Sequence, residues 1–270
     1  MRKFLVITTM SVALVSQALF ATGGKQDNAG ALTLKQGVLS IGMEIGYPPF
    51  EYYDVDGKTP IGFDVEMANA LAAKLGLKTE FIDTAWDGIF AGVATNKYDC
   101  VISAATITDE RKVAYDFTRP YIGNAQAIVL LKNSAIKIQK PEDLTGLRVT
   151  FQAETTSDIY VTKLIEEGLK TNVFEYDKVM NCFDELKLGR VDAIVCDSLV
   201  AVNYVAPADS PFVIVWQGTS DEEFGICLKK GNTALLNALN NALDELFADG
   251  VMVEISQRVF NMDMVSALRN

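Results

Sequence analysis

RVTFQAETTSDIYVTKLIEEGLKTNVFEYDKVMNCFDELKLGRVDAIVC, residues 148–196, is the stretch that decides the fold. Arg148 to Phe151, Val173 to Tyr176 and Ala193 to Cys196 read as short strands, rich in β-branched, aromatic and other apolar residues. Ser157 to Glu167 and Val179 to Leu188, lying between them, read as helices. A chain that alternates strand and helix at this interval returns each strand beside the last through a helical crossover. The consequence is a mainly parallel sheet covered on both faces.

The same rhythm runs upstream. Val38 to Met43 reads as a strand, and Asp64 to Leu75 as a helix with Val65, Ala68, Leu71, Ala72 and Leu75 on one face. Lys78 to Asp83 is a second strand, Asp87 to Asn96 a short helix, and Cys100 to Ala104 a third strand. Two α/β units follow from this. The continuous apolar runs Gln126 to Lys132 and Phe224 to Leu228 read as two crossing strands that join them. Thr233 to Phe247 is a helix with Leu236, Leu239, Leu243 and Leu246 on one stripe. Gly250 follows, then a last helix to about Phe260. These helices are expected to return to the first unit. The expectation is an α/β protein of two lobes, residues 32–123 with 224–270 and residues 124–223, with a ligand cleft between them.

At the other end of the chain Met1-Arg2-Lys3 is basic and Phe4 to Leu19 is apolar, the pattern of a secretory signal peptide. Cleavage is expected after Ala21, with 22–31 as a polar leader. The apolar run is shorter than the ~20 residues of a spanning helix. Removing residues 1–21 takes away two of 24 bases and none of 35 acids, so a net charge of −11 becomes 22 − 35 = −13. Such a surface argues against nucleic acid, whose binding begins with neutralising phosphates.

The 270 residues include no histidine. That excludes Ser-His-Asp and Cys-His nucleophilic systems and most zinc sites. The four cysteines, Cys100, Cys182, Cys196 and Cys227, contain no Cys-x-x-Cys pair. Export permits disulfides between Cys100 and Cys227 or between Cys182 and Cys196, but three of the four sit in apolar runs where a buried thiol acts as a small hydrophobe. Gly57-Lys58-Thr59 is not a phosphate loop: Tyr52 stands where its first glycine belongs, and Pro60 where its helix starts.

Four segments carry a resemblance. They are Gly46-Tyr47-Pro48-Pro49-Phe50-Glu51-Tyr52, Gly62-Phe63-Asp64-Val65-Glu66, Thr106-Ile107-Thr108-Asp109-Glu110-Arg111, and Gly189 to Asp197. In this order, from about Leu39 to Phe260, the chain resembles the polar amino-acid-binding proteins of ABC importers, solute-binding protein family 3. The resemblance implies a two-lobed, type II periplasmic-binding-protein fold that closes around a free amino acid held by its charged main-chain groups.

A zwitterion buried between lobes needs a cation for its carboxylate and an anion for its ammonium. Arg111 can grip a carboxylate with two parallel hydrogen bonds; its position alone favours a solvated residue in a helix's first turn, and the resemblance reverses this, since it matches the family's carboxylate-binding arginine. Ser103 and Thr106 offer hydroxyls and Ala104 its backbone. Thr156, at the start of a helix whose free N–H groups favour an anion, matches a second carboxylate contact or a plain cap. Asp197, at a strand's C-terminal end, matches the family's ammonium ligand; its bland alternative is a cap for the helix at Ser198. Tyr47 and Trp86 match rings that sandwich the ligand's side chain, and Glu44 matches an acidic position at the side chain's far end.

With the signal pattern, the resemblance implies an extracytoplasmic binding protein that takes up a polar or basic L-amino acid and delivers it to a membrane permease; a monomer is expected. No cofactor, metal or catalytic residue is expected. The competing class is an enzyme on the same scaffold, a cyclohexadienyl or arogenate dehydratase, for which Glu154 is the one cleft acid without a binding role.

Overall fold

The computed structural model describes residues 32–269. The expected signal peptide (1–21) and leader (22–31) lie outside the described residues.

The first part of the chain contains β1 (Val38–Met43), β2 (Tyr52–Tyr53), β3 (Pro60–Ile61), α1 (Phe63–Lys74), β4 (Lys78–Asp83), α2 (Ile89–Ala94), β5 (Cys100–Val101), α3 (Asp109–Ala114), β6 (Tyr115–Phe117) and β7 (Ile122–Asn124). Next come β8 (Gln126–Leu131), β9 (Arg148–Gln152), α4 (Thr156–Glu166), β10 (Asn172–Tyr176), α5 (Val179–Lys187), β11 (Ala193–Asp197), α6 (Ser198–Val205) and β12 (Phe212–Gln217). The chain finishes with β13 (Glu222–Phe224), β14 (Cys227–Lys229), α7 (Thr233–Ala248) and α8 (Val251–Phe260).

Two five-stranded sheets form the lobes, in the orders β4-β1-β5-β14-β6 and β10-β9-β11-β8-β12. In each, β14 or β8 runs against its two neighbours and the other four strands point one way. The parallel core thus comes from the helical crossovers, and the single reversed strand from the passage between lobes.

The two apolar runs read as crossings are placed differently. Gln126–Leu131 lies wholly inside the second sheet between β11 and β12, and Cys227–Lys229 inside the first between β5 and β6. The crossing is made just upstream of each, by the antiparallel pair β7 and β13. A continuous apolar run belongs to a strand buried on both faces, as β8 is over Gln126–Leu130. A crossing ribbon can carry polar groups, here Asn124 and Glu222.

Gly62 ties two of the quoted segments together. Its φ of 123° opens α1, and a Cβ there would stand 2.3 Å from the Phe50 carbonyl oxygen. The N–H groups of Phe63 and Asp64 donate to the carbonyls of Pro49 and Phe50, both at 3.0 Å. The loop after β1 is thereby fixed on the start of α1. α7 and α8 pack against α1 in the first lobe, with Leu235, Leu239, Ala242, Leu243 and Leu246 as the buried stripe of α7. Each such large side chain withdrawn from water contributes about 1.5–3 kcal/mol. Leu236 lies half-buried beside the stripe.

All four cysteines are buried free thiols. Cys100 pairs in register with Leu228, and Cys227 with Val101, so Cys100 and Cys227 pack into cores on different faces of the sheet. Among the described residues no helix is long and apolar enough to cross a membrane.

Candidate functional site

Strand ends supply the first lobe's wall. Beyond β1 the chain places Glu44 and Tyr47, both almost fully buried. β5 stops at Val101 rather than at Ala104, and the chain turns away through Ala104, whose φ is 45°. That turn presents Ser103, Ala104 and Thr106 to the cleft. Ser103 Oγ accepts from the Glu44 N–H at 3.0 Å and donates to Glu51 Oε1 at 2.7 Å. The Ala104 N–H donates to Asp64 Oδ2 at 2.7 Å, so its carbonyl is the backbone group left for a ligand.

Arg111 lies in the first turn of α3, which Thr108 caps by accepting the Arg111 N–H. Its guanidinium carbon stands 4.7 Å from the centre of the Phe90 ring and 5.4 Å from that of Trp86. Nη1 donates to the Thr106 carbonyl at 2.9 Å, one of the five N–H groups of the fork. Among the described residues Arg111 forms no ion pair. Burial draws its pKa below the ordinary arginine value. It is a cation held against two aromatic rings, with most of its donors uncommitted.

The second lobe's wall comes from β9, α4 and β11. Thr155, not Thr156, caps α4 by accepting from the Asp158 N–H. Thr156 is thereby free to face the cleft, its hydroxyl 3.4 Å from that of Thr106. Asp197 starts α6 but makes no capping bond. Its carboxylate instead accepts from the Tyr47 hydroxyl at 2.5 Å, Asn124 Nδ2 at 2.8 Å and Gln126 Nε2 at 3.2 Å. Burial and then the nearby Glu222 carboxylate raise its pKa to about 7, against the pull of those donors. Asn124 and Gln126 also donate to Glu222, both at 2.9 Å.

Further bonds cross the cleft. Gln152 Nε2 donates to Glu44 Oε2 at 2.7 Å, and the Trp86 indole N–H to the Glu154 carbonyl at 3.0 Å. Glu154 itself adopts φ 61°, its N–H held by Asp158, so this acid gives the cleft a backbone oxygen. Burial raises the Glu44 pKa to about 7; Gln152 and the charge of Lys178 oppose the rise.

A cavity of about 290 Å³, part of it open at the mouth, lies between the walls. Glu44, Tyr47, Trp86, Ser103, Ala104, Thr106, Thr156 and Asp197 line it. Arg111 is the one expected site residue outside that lining. Glu51, Gln152 and Thr155 line the cavity without having been singled out. Gln152 ends a strand, the position where ligands gather in open α/β sheets, and Glu51 stands inside a quoted segment, so both carried a signal.

The family model for bacterial extracellular solute-binding proteins, family 3, matches residues 39–262. The chain is 35% identical over 231 residues to the L-cystine-binding protein TcyJ of Escherichia coli K12, covering 85% of each chain. An ancestral arginine-binding protein bound to arginine superposes with a TM-score of 0.79 at 40% identity, covering 83% of this chain and 99% of that one. An ancestral arginine-binding protein bound to glutamine gives 0.77, also at 40% identity, covering 84% and 99%. The ancestral amino acid-binding protein AncCDT-1, a precursor of cyclohexadienyl dehydratase, gives 0.75 at 36% identity, covering 83% and 95%. The extent of the family match and the identity to these relatives settle the membership: the chain belongs to the bacterial extracellular solute-binding proteins, family 3.

Proposed function

We infer that the chain is the substrate-binding component of an ABC amino-acid importer, binds a free amino acid between its lobes, and is not an enzyme. Its work is extracytoplasmic. The signal peptide at 1–21 exports it, and as a monomer it delivers the ligand to a membrane permease. The lobes, 32–123 with 224–270 and 124–223, close by a hinge at the ribbon of β7 and β13.

The observation that carries this reading is a pair of complementary, unpaired charges on opposite walls. Arg111 is a cation without a carboxylate, and Asp197 a buried carboxylate without a cation. A zwitterion supplies both missing partners at once, and water stripped from it on closure makes each pairing necessary. Arg111 and Thr156 take the ligand's carboxylate, with Ser103 and Thr106 beside them. Asp197 and the Ala104 carbonyl take its ammonium. The side chain then runs between Tyr47 and Trp86 toward Glu44 and Gln152, an acid and an amide that suit a basic or polar group.

The names of the relatives support an amino acid as ligand, among them cystine, arginine and glutamine. The dehydratase alternative lacks comparable support, since the neighbour whose name mentions that enzyme is itself called an amino acid-binding protein. The test is a thermal-shift screen of free L-amino acids, L-cystine included. A ligand at 100 times its Kd stabilises by about 2.7 kcal/mol. Stabilisation by prephenate or arogenate with loss of the compound, and by no amino acid, would overturn the reading.

A further inference from the structure

At the floor of the cleft, which Glu51 helps to line, two carboxyl groups, Glu51 and Asp64, are buried to 0% exposure. Their surroundings are specific. Asp64 Oδ2 accepts from the Ala104 N–H at 2.7 Å and from the Tyr121 hydroxyl at 2.9 Å. Glu51 Oε1 accepts from the Ser103 hydroxyl at 2.7 Å. The remaining oxygens, Glu51 Oε2 and Asp64 Oδ1, are buried with no donor from any other residue. The two side chains are themselves within hydrogen-bonding reach of one another, and no lysine or arginine is among the groups that act on either. Their backbones are fastened too, by the Asp64 N–H on the Phe50 carbonyl at 3.0 Å.

Two ionised carboxylates in contact, both dry and both without a cation, would repel strongly. One proton converts the repulsion into a hydrogen bond and satisfies both orphaned oxygens together. The geometry points to a single proton held between Glu51 Oε2 and Asp64 Oδ1, making Glu51 a neutral carboxylic acid that positions the Ser103–Ala104 corner of the cleft. Burial raises both pKa values, and Asp64 accepts from two other donors, Ala104 and Tyr121, where Glu51 accepts from Ser103 alone, so the charge is better held on Asp64. The proton therefore resides on Glu51.

The consequences reach the cleft. Asp64, ionised, accepts from Glu51, Ala104 and Tyr121, and so holds Ala104 at a φ of 45°, a left-handed conformation that an alanine rarely adopts. Glu51, neutral, still accepts from Ser103, whose oxygen takes the Glu44 N–H. The pair contributes one negative charge rather than two to a cleft that already holds Glu44 and Asp197. Only this last link rests on the cleft being a ligand site; the proton itself does not.

Infrared spectroscopy of the ligand-free full chain tests the proposal without reference to any ligand. At about pH 9, roughly two units above the values of Glu44 and Asp197, those groups are ionised. The wild type is expected to retain a protonated-carboxyl carbonyl band that shifts in D₂O and disappears in Glu51→Gln. The glutamine amide can donate to Asp64 and accept from Ser103, so this variant should melt within about 3 °C of wild type. Glu51→Leu, which leaves Asp64 Oδ1 without a donor, should lose at least twice that. Absence of the band from the wild type, its persistence in Glu51→Gln, or equal destabilisation by glutamine and leucine would overturn the proposal.

Discussion

The amide of Gln152, at the end of β9, donates to the carboxylate of Glu44, beyond the end of β1, at 2.7 Å across the cleft. These two side chains line the cavity together with Asp197. A ligand with a cationic side chain gains a charge-assisted bond from Glu44, worth about 1.5–3 kcal/mol, whereas a neutral amide can be held as well by glutamine. Glu44→Gln is therefore expected to weaken L-arginine binding by about 10- to 150-fold and L-glutamine binding by no more than about 3-fold. Calorimetric titration measures both. Tight binding of L-leucine or L-glutamate by the wild type would contradict this assignment of Glu44.

Glu44 also sets a pH dependence. Its pKa is about 7 in the folded chain against 4.5 as the unperturbed value. Between those values the folded protein retains a proton that the unfolded chain has released, so stability falls as pH rises through the window. Its share is on the order of 3 kcal/mol, and Glu44→Gln abolishes it. Denaturant unfolding of both proteins at about pH 5 and about pH 8 should show the wild type losing more than the variant on going up. Equal changes would mean that Glu44 titrates as an ordinary exposed carboxylate.

Gly62 tests the local architecture beneath the site. Its Cβ would stand 2.3 Å from the Phe50 carbonyl oxygen and its φ is 123°. Gly62→Ala should cost about 3 kcal/mol or more. Gly57→Ala, with φ 66° and nothing within 4 Å, is the control and should cost about 1–2 kcal/mol. Urea unfolding at neutral pH distinguishes them. Equal losses would show that the contact with Phe50 does not constrain the loop after β1.

Much of this was legible in the chain. Val38–Met43 and Lys78–Asp83 have the bounds that alternation with helices assigns them, because a strand flanked by crossovers declares itself by apolar character and length. The crossing ribbon did not: Ile122–Asn124 and Glu222–Phe224 are three residues each, too short for any period, while the conspicuous apolar run beside them is an ordinary buried strand. At the site, Asp197 could be placed from its strand end. The seat of Arg111 on Phe90 and Trp86 could not, because it depends on packing between segments more than 20 residues apart. The partnership of Glu51 with Asp64, only 13 residues apart, was hidden because it depends on how the loop after β1 folds onto the start of α1.

The ribbon of β7 and β13 is the place for a hinge, and ligand binding is expected to close the lobes about it. Small-angle scattering should give a smaller radius of gyration at saturating amino acid than without it. Trp86, whose indole meets the Glu154 carbonyl of the opposite wall, should change its fluorescence at the same concentrations. A radius that does not change at saturation argues against a hinge.

The central claim is that Arg111 and Asp197 hold the two charged ends of one zwitterion. Removing either leaves a ligand charge buried and unpaired, a loss of about 2–5 kcal/mol, or roughly 30- to several-thousand-fold in Kd. Isothermal titration calorimetry of Arg111→Ala and Asp197→Ala, with the amino acid that most stabilises the wild type, measures this directly. Circular dichroism should show both variants folded. The clamp predicts that each loses at least about 30-fold in affinity; binding by either variant within about three-fold of wild type, less than ~0.7 kcal/mol, would contradict it.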